Sequence, residues 1–290
     1  MKPGPFVHHA PRSVEEAVAV LAQVGHDGKV LAGGQSLIPV LNMRLAGPGH
    51  LVDVNLVAGL GEVTVDDAWV RVGALVRHAG LERHEGAFAA NPLLRQALRN
   101  VAHPAIRNRG TTVGSIAHAD PAGEMPSVAV LTGGVIEAVS ARGRREIAAA
   151  DFFEGPLETT LEHDELVEAV RFGRFAPGTR TGFVESARRH GDYALAGVAV
   201  ALEVEGGTIR SARAAFVSVT PVPTVLDLSP VLAGRDAAAP VPDEVAELVR
   251  AHVQPEDDIH ASADYRRMLA AELTRRVLVT TAHDDEEGAA

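Results

Sequence analysis

Two short stretches carry the residue types that could do chemistry. The first is Ala32-Gly33-Gly34-Gln35-Ser36-Leu37, which follows the apolar run Lys29-Val30-Leu31 and leads into the helical spacing Leu37, Ile38, Leu41 and Leu45. Paired glycines between a strand and a helix let backbone N–H groups come close to a ligand, and a helix N-terminus adds partial positive charge. Gln35 and Ser36 add side-chain donors, so a diphosphate suits this loop, although the same spelling also serves as an ordinary turn. The second stretch is Gly110-Thr111-Thr112-Val113-Gly114-Ser115, again small and hydroxyl-bearing. It runs on through His118-Ala119-Asp120-Pro121 to Glu124. Two such loops can hold one diphosphate from both sides while a carboxylate takes ribose hydroxyls.

Competing chemistries find less support. The thirteen histidines include His8-His9, but no pair has the i, i+4 spacing of a zincin helix with its glutamate. Ser36 lacks the second glycine of a nucleophile elbow. There is neither a G-x-G-x-x-G fingerprint nor a Walker A sequence. His118 and Asp120 could pair as acid and base, or simply pack around a ligand.

The elements that must position these loops are legible in outline. Ser13 reads as an N-cap with Glu16 at capping-box spacing, opening a helix with apolar residues at 14, 17, 18 and 21. Strands are expected at Lys29–Ala32 and Leu51–Val54, giving a small βαβ-like unit that ends near residue 58. Val63–Val65 and Trp69–Val72 read as a hairpin, followed by helical spacing over Ala74–Arg83. Asn91 reads as the cap of a further helix with Pro92 at its first position, running to about Val101 and stopped by Pro104. Ile106–Met125 reads as a long irregular loop, a feature that usually binds something. Gly133-Gly134 closes a short helix, Val135–Val139 is a strand and Ala141–Arg144 a turn. Asp151 is expected to cap a short helix before a strand over Leu166–Phe172. The Ala176-Pro177-Gly178-Thr179 linker marks the expected domain boundary. Strand-like runs then cover Gly182–Ala187, Leu195–Val204 and Ile209–Val219, with helices over Val241–Val253 and Ala263–Val279. The tail from His283 is acidic and expected to fray.

Composition narrows the class. A chain of 290 residues can bury two or three sizeable cores. A formal charge of −11 argues against nucleic acid as a partner. No apolar run approaches the ~20 residues of a membrane helix, and the start lacks a signal peptide's apolar core, so a cytoplasmic protein is expected. The chain has no cysteine. An iron–sulfur cluster held by thiolates would therefore have to sit on another polypeptide.

In the order and spelling of its loops the chain resembles the flavoprotein (medium) subunit of molybdenum hydroxylases, the carbon-monoxide-dehydrogenase and xanthine-dehydrogenase family. The resemblance rests on Ala32–Leu37, on Arg107-Asn108-Arg109-Gly110-Thr111 through His118-Ala119-Asp120-Pro121, on Asp151–Pro156, on Arg189-His190-Gly191-Asp192-Tyr193-Ala194-Leu195 and on Tyr265-Arg266-Arg267. Many relatives carry Gly-Gly where this chain has Val113-Gly114. The resemblance implies an α+β chain with a PCMH/vanillyl-alcohol-oxidase-type FAD-binding domain over residues 1–176, in two α/β subdomains (about 1–58 and 59–176). A C-terminal domain over 177–290 would hold a three-stranded antiparallel sheet with helices.

It also implies FAD as cofactor and no catalytic acid or base. Lys29, Ala32, Gly33, Gly34, Gln35, Ser36 and Leu37 would line the diphosphate and neighbouring flavin, with Thr111, Gly114 and Ser115 on the other side. His118, Asp120 and Leu166 would belong to the same site. Glu124 would meet the ribose, and Tyr193 would lie by the isoalloxazine face unless it is a core tyrosine. The implied partners are a molybdopterin-containing large subunit and a small subunit with two [2Fe–2S] clusters, as a dimer of heterotrimers, with electrons leaving through FAD to an external acceptor. A stand-alone flavin oxidoreductase of the same fold and a non-catalytic nucleotide-binding assembly subunit are the alternatives.

Overall fold

The structure is a computed structural model that describes residues 2–283. The first unit holds β1 (Val7–His9), α1 (Val14–Val24), β2 (Gly28–Leu31), α2 (Leu37–Asn42) and β3 (His50–Asp53), its strands parallel in the order β1-β3-β2. Ser13 caps α1 by accepting from the Glu16 N–H at 3.1 Å. The Glu16 carboxylate reaches back to the Arg12 N–H at 2.7 Å, one residue before the position a capping box would satisfy. Ala17, Val18 and Leu21 form the buried stripe of α1, which packs on β3 and on a strand of the next unit. Parallel strands joined by a helix leave the β2–α2 turn at the sheet's C-terminal edge, where a ligand is commonly held.

The second unit opens with the expected hairpin, β4 (Val63–Val65) and β5 (Trp69–Gly73), and then runs through six short helices. These are α3 (His78–Leu81), α4 (Glu85–Ala90), α5 (Leu93–Leu98), α6 (Pro104–Arg107), α7 (Thr112–His118) and α8 (Glu124–Leu131). The strands β6 (Val135–Ser140), β7 (Gly143–Ala148) and β10 (Leu166–Gly173) complete an antiparallel sheet in the order β4-β5-β10-β6-β7. The small hairpin of β8 (Phe153–Gly155) and β9 (Glu158–Thr159) lies outside it. The core of this sheet, including Val72, Ile136, Val170 and Phe172, is continuous with that of α1 and β3.

Several expectations give way here. Helical backbone over 74–83 is confined to His78–Leu81. Asn91 closes α4 instead of opening α5, because its side-chain amide is drawn away to the Gly173 carbonyl at 2.9 Å. Pro104 opens α6 at the position where its missing N–H costs nothing. The expected irregular loop over Ile106–Met125 contains α7 and parts of α6 and α8. The reason is visible in α8: Met125–Leu131 are all buried, so it has no polar face and shows no amphipathic period. Asp151 ends a 3₁₀ turn over Ala149–Asp151 and leads into β8, so it caps no helix.

The third unit has four strands, not three. β11 (Thr179–Ser186), β12 (Ala196–Glu205) and β13 (Thr208–Val217) are joined by the short edge strand β14 (Val225–Asp227), all antiparallel. The period of two along β12 divides its side chains. Ala199 and Ala201 join the core around α8, while Val198, Val200 and Leu202 face the second core. That core is closed by α9 (Ser229–Leu232), α10 (Asp243–His252) and α11 (Ala263–His283). The alanines leave room for α8, which is sandwiched between this sheet and α5. The residues after His283 lie outside the described structure, and with them the expected frayed tail.

Candidate functional site

The two glycine loops meet backbone to backbone. A Cβ on Gly33 would stand 2.6 Å from the Arg109 carbonyl oxygen, 2.8 Å from Gly110 Cα and 3.0 Å from the Thr111 nitrogen. Gly34 is needed for a different reason: its φ of +71° is a conformation that side-chain-bearing residues rarely adopt. Gln35 does not project as a free donor but folds back, its amide donating to the Gly33 carbonyl at 2.9 Å. Among the described residues, the backbone N–H groups from Gly33 to Leu37 donate to no protein acceptor. Because α2 is only six residues long, the donor capacity resides in these loop amides themselves rather than in a long helix dipole.

The second loop is held more tightly. Thr111 is the N-cap of α7, its hydroxyl accepting from the Gly114 N–H at 3.1 Å, which fixes the side chain and leaves its O–H as a donor. Thr112 is fully buried and pairs with His78 Nδ1 at 3.2 Å. Burial and the nearby Arg107 cation hold His78 down to about 4, so it is neutral around pH 7. A Cβ on Gly114 would lie 2.4 Å from the Thr111 hydroxyl. Val113, where many relatives have glycine, sits inside α7 with its side chain 2% exposed and without a positive φ. The position therefore places no demand on glycine in this chain. Ser115 lies two positions on, and its N–H continues the helix to the Thr111 carbonyl.

Two residues that no local motif announces join the loops. The Asn55 amide donates to the Ala32 carbonyl at 2.9 Å, and the Arg77 guanidinium donates to both the Asn55 side-chain oxygen and the Arg109 carbonyl, each at 2.5 Å. Asn55 is itself fixed by Asp53, which accepts from its N–H at 3.0 Å.

An acidic cluster follows the second loop at the far end of α7. α7 ends with Ala119 in the left-handed region at φ 54°, which turns the chain so that Asp120 can accept from the Ala122 N–H at 2.9 Å. Glu124 is the first residue of α8. Burial, opposed by its own N–H and reinforced by Asp120, raises its carboxyl to about 7. Glu185, on β11, is raised to about 8 by burial and by Glu124, and one of its carboxylate oxygens is buried without a hydrogen-bond partner. Tyr193, in the β11–β12 connection, is 69% exposed, so it is no core tyrosine. Desolvation, then Asp120, then Glu124 push its phenol up. Pro121 is tied to the third unit by the Ser218 N–H at 2.8 Å. The structure thus brings Asp120, Glu124 and Tyr193 together and adds Glu185, which sequence reasoning missed because a lone glutamate in a strand carries no local signal.

The remaining expected residues are more scattered. Lys29 is exposed on β2, opposite Leu51. His118 is the last residue of α7, and Leu166 is buried at the start of β10, paired with Val139. His8 and His9 bond Asp53 and His50. Among the described residues no group of three or more His, Cys, Asp or Glu could hold a metal ion, and no helix is long and apolar enough to cross a membrane.

Two glycine loops that meet backbone to backbone, beside amides that donate to no protein acceptor, suit a nucleotide cofactor. The comparisons narrow this further. Residues 4–174 match the FAD binding domain in molybdopterin dehydrogenase, and residues 181–281 match the CO dehydrogenase flavoprotein C-terminal domain. The chain is 40% identical to the nicotine 6-hydroxylase medium subunit of Paenarthrobacter nicotinovorans, over 95% of this chain and 97% of that one. Its fold superposes on carbon monoxide dehydrogenase from Hydrogenophaga pseudoflava with a TM-score of 0.91 at 35% identity, covering 97% of this chain and 98% of that one. It also superposes on quinoline 2-oxidoreductase from Pseudomonas putida 86, with a TM-score of 0.90 at 36% identity over 98% and 99%. The chain belongs to the family of FAD-binding subunits of molybdopterin dehydrogenases, and it is an oxidoreductase subunit whose cofactor is FAD. The residues present fit that cofactor: the position of Gly33 leaves no room for a side chain, and the amides beside it are unpaired donors for a diphosphate.

Proposed function

We propose that this chain is the electron-transfer subunit of a three-part molybdenum hydroxylase. It takes electrons from [2Fe–2S] clusters on a small partner and passes them through FAD to an external acceptor. A molybdopterin-containing large partner oxidises the substrate, and the three assemble as a dimer of heterotrimers. The observation that carries this reading is the meeting of the two glycine loops, which builds a cofactor cradle on a chain with no cysteine for a cluster. The relatives named as medium subunits, over nearly their whole lengths, support it.

FAD supplies the redox chemistry, and the protein supplies binding and orientation. In this reading Ala32–Leu37 and Lys29 hold the diphosphate and adjoining flavin, and Thr111, Gly114 and Ser115 close the other side. His118, Asp120 and Leu166 belong to the surrounding shell. Tyr193 would lie by the isoalloxazine face, and Glu124 would meet the ribose. A PCMH-type FAD domain of two subdomains then ends near residue 176, followed by the C-terminal domain.

The isolated chain should bind FAD and accept electrons from a strong artificial reductant. It should show no flavin bleaching with purines, pyridines, aldehydes or carbon monoxide under anaerobic mixing until both partner chains are added. Rapid bleaching by any such substrate without partners would reject the relay and favour a stand-alone flavoenzyme. The ribose assignment is tested separately. Glu124→Ala should weaken FAD by on the order of 1.5–3 kcal/mol, the scale of a lost charge-assisted hydrogen bond, and leave FMN affinity unchanged. An equal loss for FMN, which has no adenosine ribose, would move Glu124 away from that position.

A further inference from the structure

The Arg77 side chain links the two loops through hydrogen bonds at both ends. One guanidinium nitrogen donates to the Arg109 carbonyl, immediately before Gly110 and Thr111. Another donates to the Asn55 side-chain oxygen, and the Asn55 amide in turn holds the Ala32 carbonyl, immediately before Gly33. The backbone of Arg77 is fixed to the second loop as well, through a bridge to Thr111 and through the His78 N–H, which donates to the Gly110 carbonyl at 3.0 Å. Asn55 is locked from behind by Asp53, which also meets His8 at 3.2 Å. Desolvation, and then the neighbouring Arg109 cation, act against the charge on Arg77. The Asp53 carboxylate acts the other way and supports the charge.

We propose that Arg77 is a positioning residue for the FAD site, acting through Asn55 to hold the Ala32-Gly33 and Arg109-Thr111 backbones at the separation a diphosphate needs. The inference rests on the FAD reading of the cradle. It does not make Arg77 a ligand of the cofactor: both of the bonds described end on protein oxygens. The planar fork of arginine can serve two acceptors that lie in different directions, whereas a lysine ammonium is a point charge on a flexible stem. Charge alone therefore cannot replace it.

The test uses the full-length chain loaded with FAD, with Arg77→Met, Arg77→Lys, Asn55→Ala and the Asn55→Ala/Arg77→Met double variant. FAD release, followed by recovery of free-flavin fluorescence, should be faster by roughly 10- to 100-fold in both Arg77 variants, the range expected for a lost charged hydrogen bond. The double variant should release no faster than the faster single variant, because both changes break the same link. ADP should bind more weakly to the variants, while riboflavin, which has no phosphate, binds as before. Wild-type release from Arg77→Lys, additive effects in the double variant, or equal losses for riboflavin and ADP would each overturn the proposal. Failure of the unaltered chain to hold FAD would instead reject the cofactor reading itself.

Discussion

Gly33→Val is expected to abolish FAD retention while leaving the fold around it in place. The first atom of the new side chain would fall 2.6 Å from the Arg109 carbonyl oxygen and 2.8 Å from Gly110 Cα. Both are backbone atoms, and the second loop is pinned by Thr111, Thr112 and the Gly110 carbonyl, so it cannot yield as a flexible side chain would. The loops must separate, and the amides no longer converge on one diphosphate. Gly34→Val should also fail, by a different route, since its Cβ meets only the side chains of Ile38 and Leu31 at 3.1 and 3.2 Å but its φ of +71° is strained for valine. Flavin content after purification, together with circular dichroism, checks both. Unchanged FAD affinity in the Gly33 variant would show that the loop contact does not form the site.

The cofactor-free protein should lose stability as pH rises from about 5 to 8. Glu124 and Glu185 have folded pKa values near 7 and 8, above the ordinary 4.5, so the folded state holds more protons than the unfolded one across that window. Their contribution is fully present below about 4.5 and is lost as pH climbs through the folded values. His78 has the opposite sign. Its value near 4 lies below the ordinary 6.5, so the stability it confers is present above 6.5 and lost as pH falls toward 4. It offsets the carboxylates only up to pH 6.5, and the steepest fall should therefore lie between about 6.5 and 8. Because the two carboxyls influence each other, the loss is expected on the order of 2–4 kcal/mol rather than the full sum of both shifts, at 1.36 kcal/mol per unit. Glu185→Gln should flatten the alkaline fall, and His78→Gln should steepen the decline below 6.5. Thermal unfolding across the pH series reads both, and a flat profile in the unaltered chain would refute the assignment.

What the sequence could and could not convey follows from how local each feature is. The Ala32–Leu37 loop was legible because a strand, a glycine pair and a helix start are adjacent in the chain. The strands flanking it and the α1 cap have equally local grammar. The run through α6, α7 and α8 was not, since these helices are short and α8 is apolar on every side, so no period distinguishes it from loop. Asn91-Pro92 spells a helix start, but a distant carbonyl on Gly173 decides what Asn91 does. Of the residues the structure brings together, the glycines and the acids following α7 are ones the sequence singles out. Asn55, Arg77 and Glu185 are not, because each acts across a gap in sequence on a partner that no spacing rule names. The edge strand β14 is not legible because Val225–Asp227 becomes a strand only by pairing with β13, with no adjacent hairpin turn to announce it.

The seam between Gly33 and the Arg109–Thr111 backbone belongs to no single sheet. One side descends from the parallel β1-β3-β2 unit, the other from the helices above the five-stranded sheet. Neither half is a cradle by itself: the two are held in register by the packing of α1 against β3 and β6. On the proposed reading, FAD bound there would span both units and stabilise the folded chain by about 2.7 kcal/mol at a hundredfold excess over its dissociation constant. A change that loosens the packing of α1 on β6 is therefore expected to weaken FAD retention even though it touches neither loop.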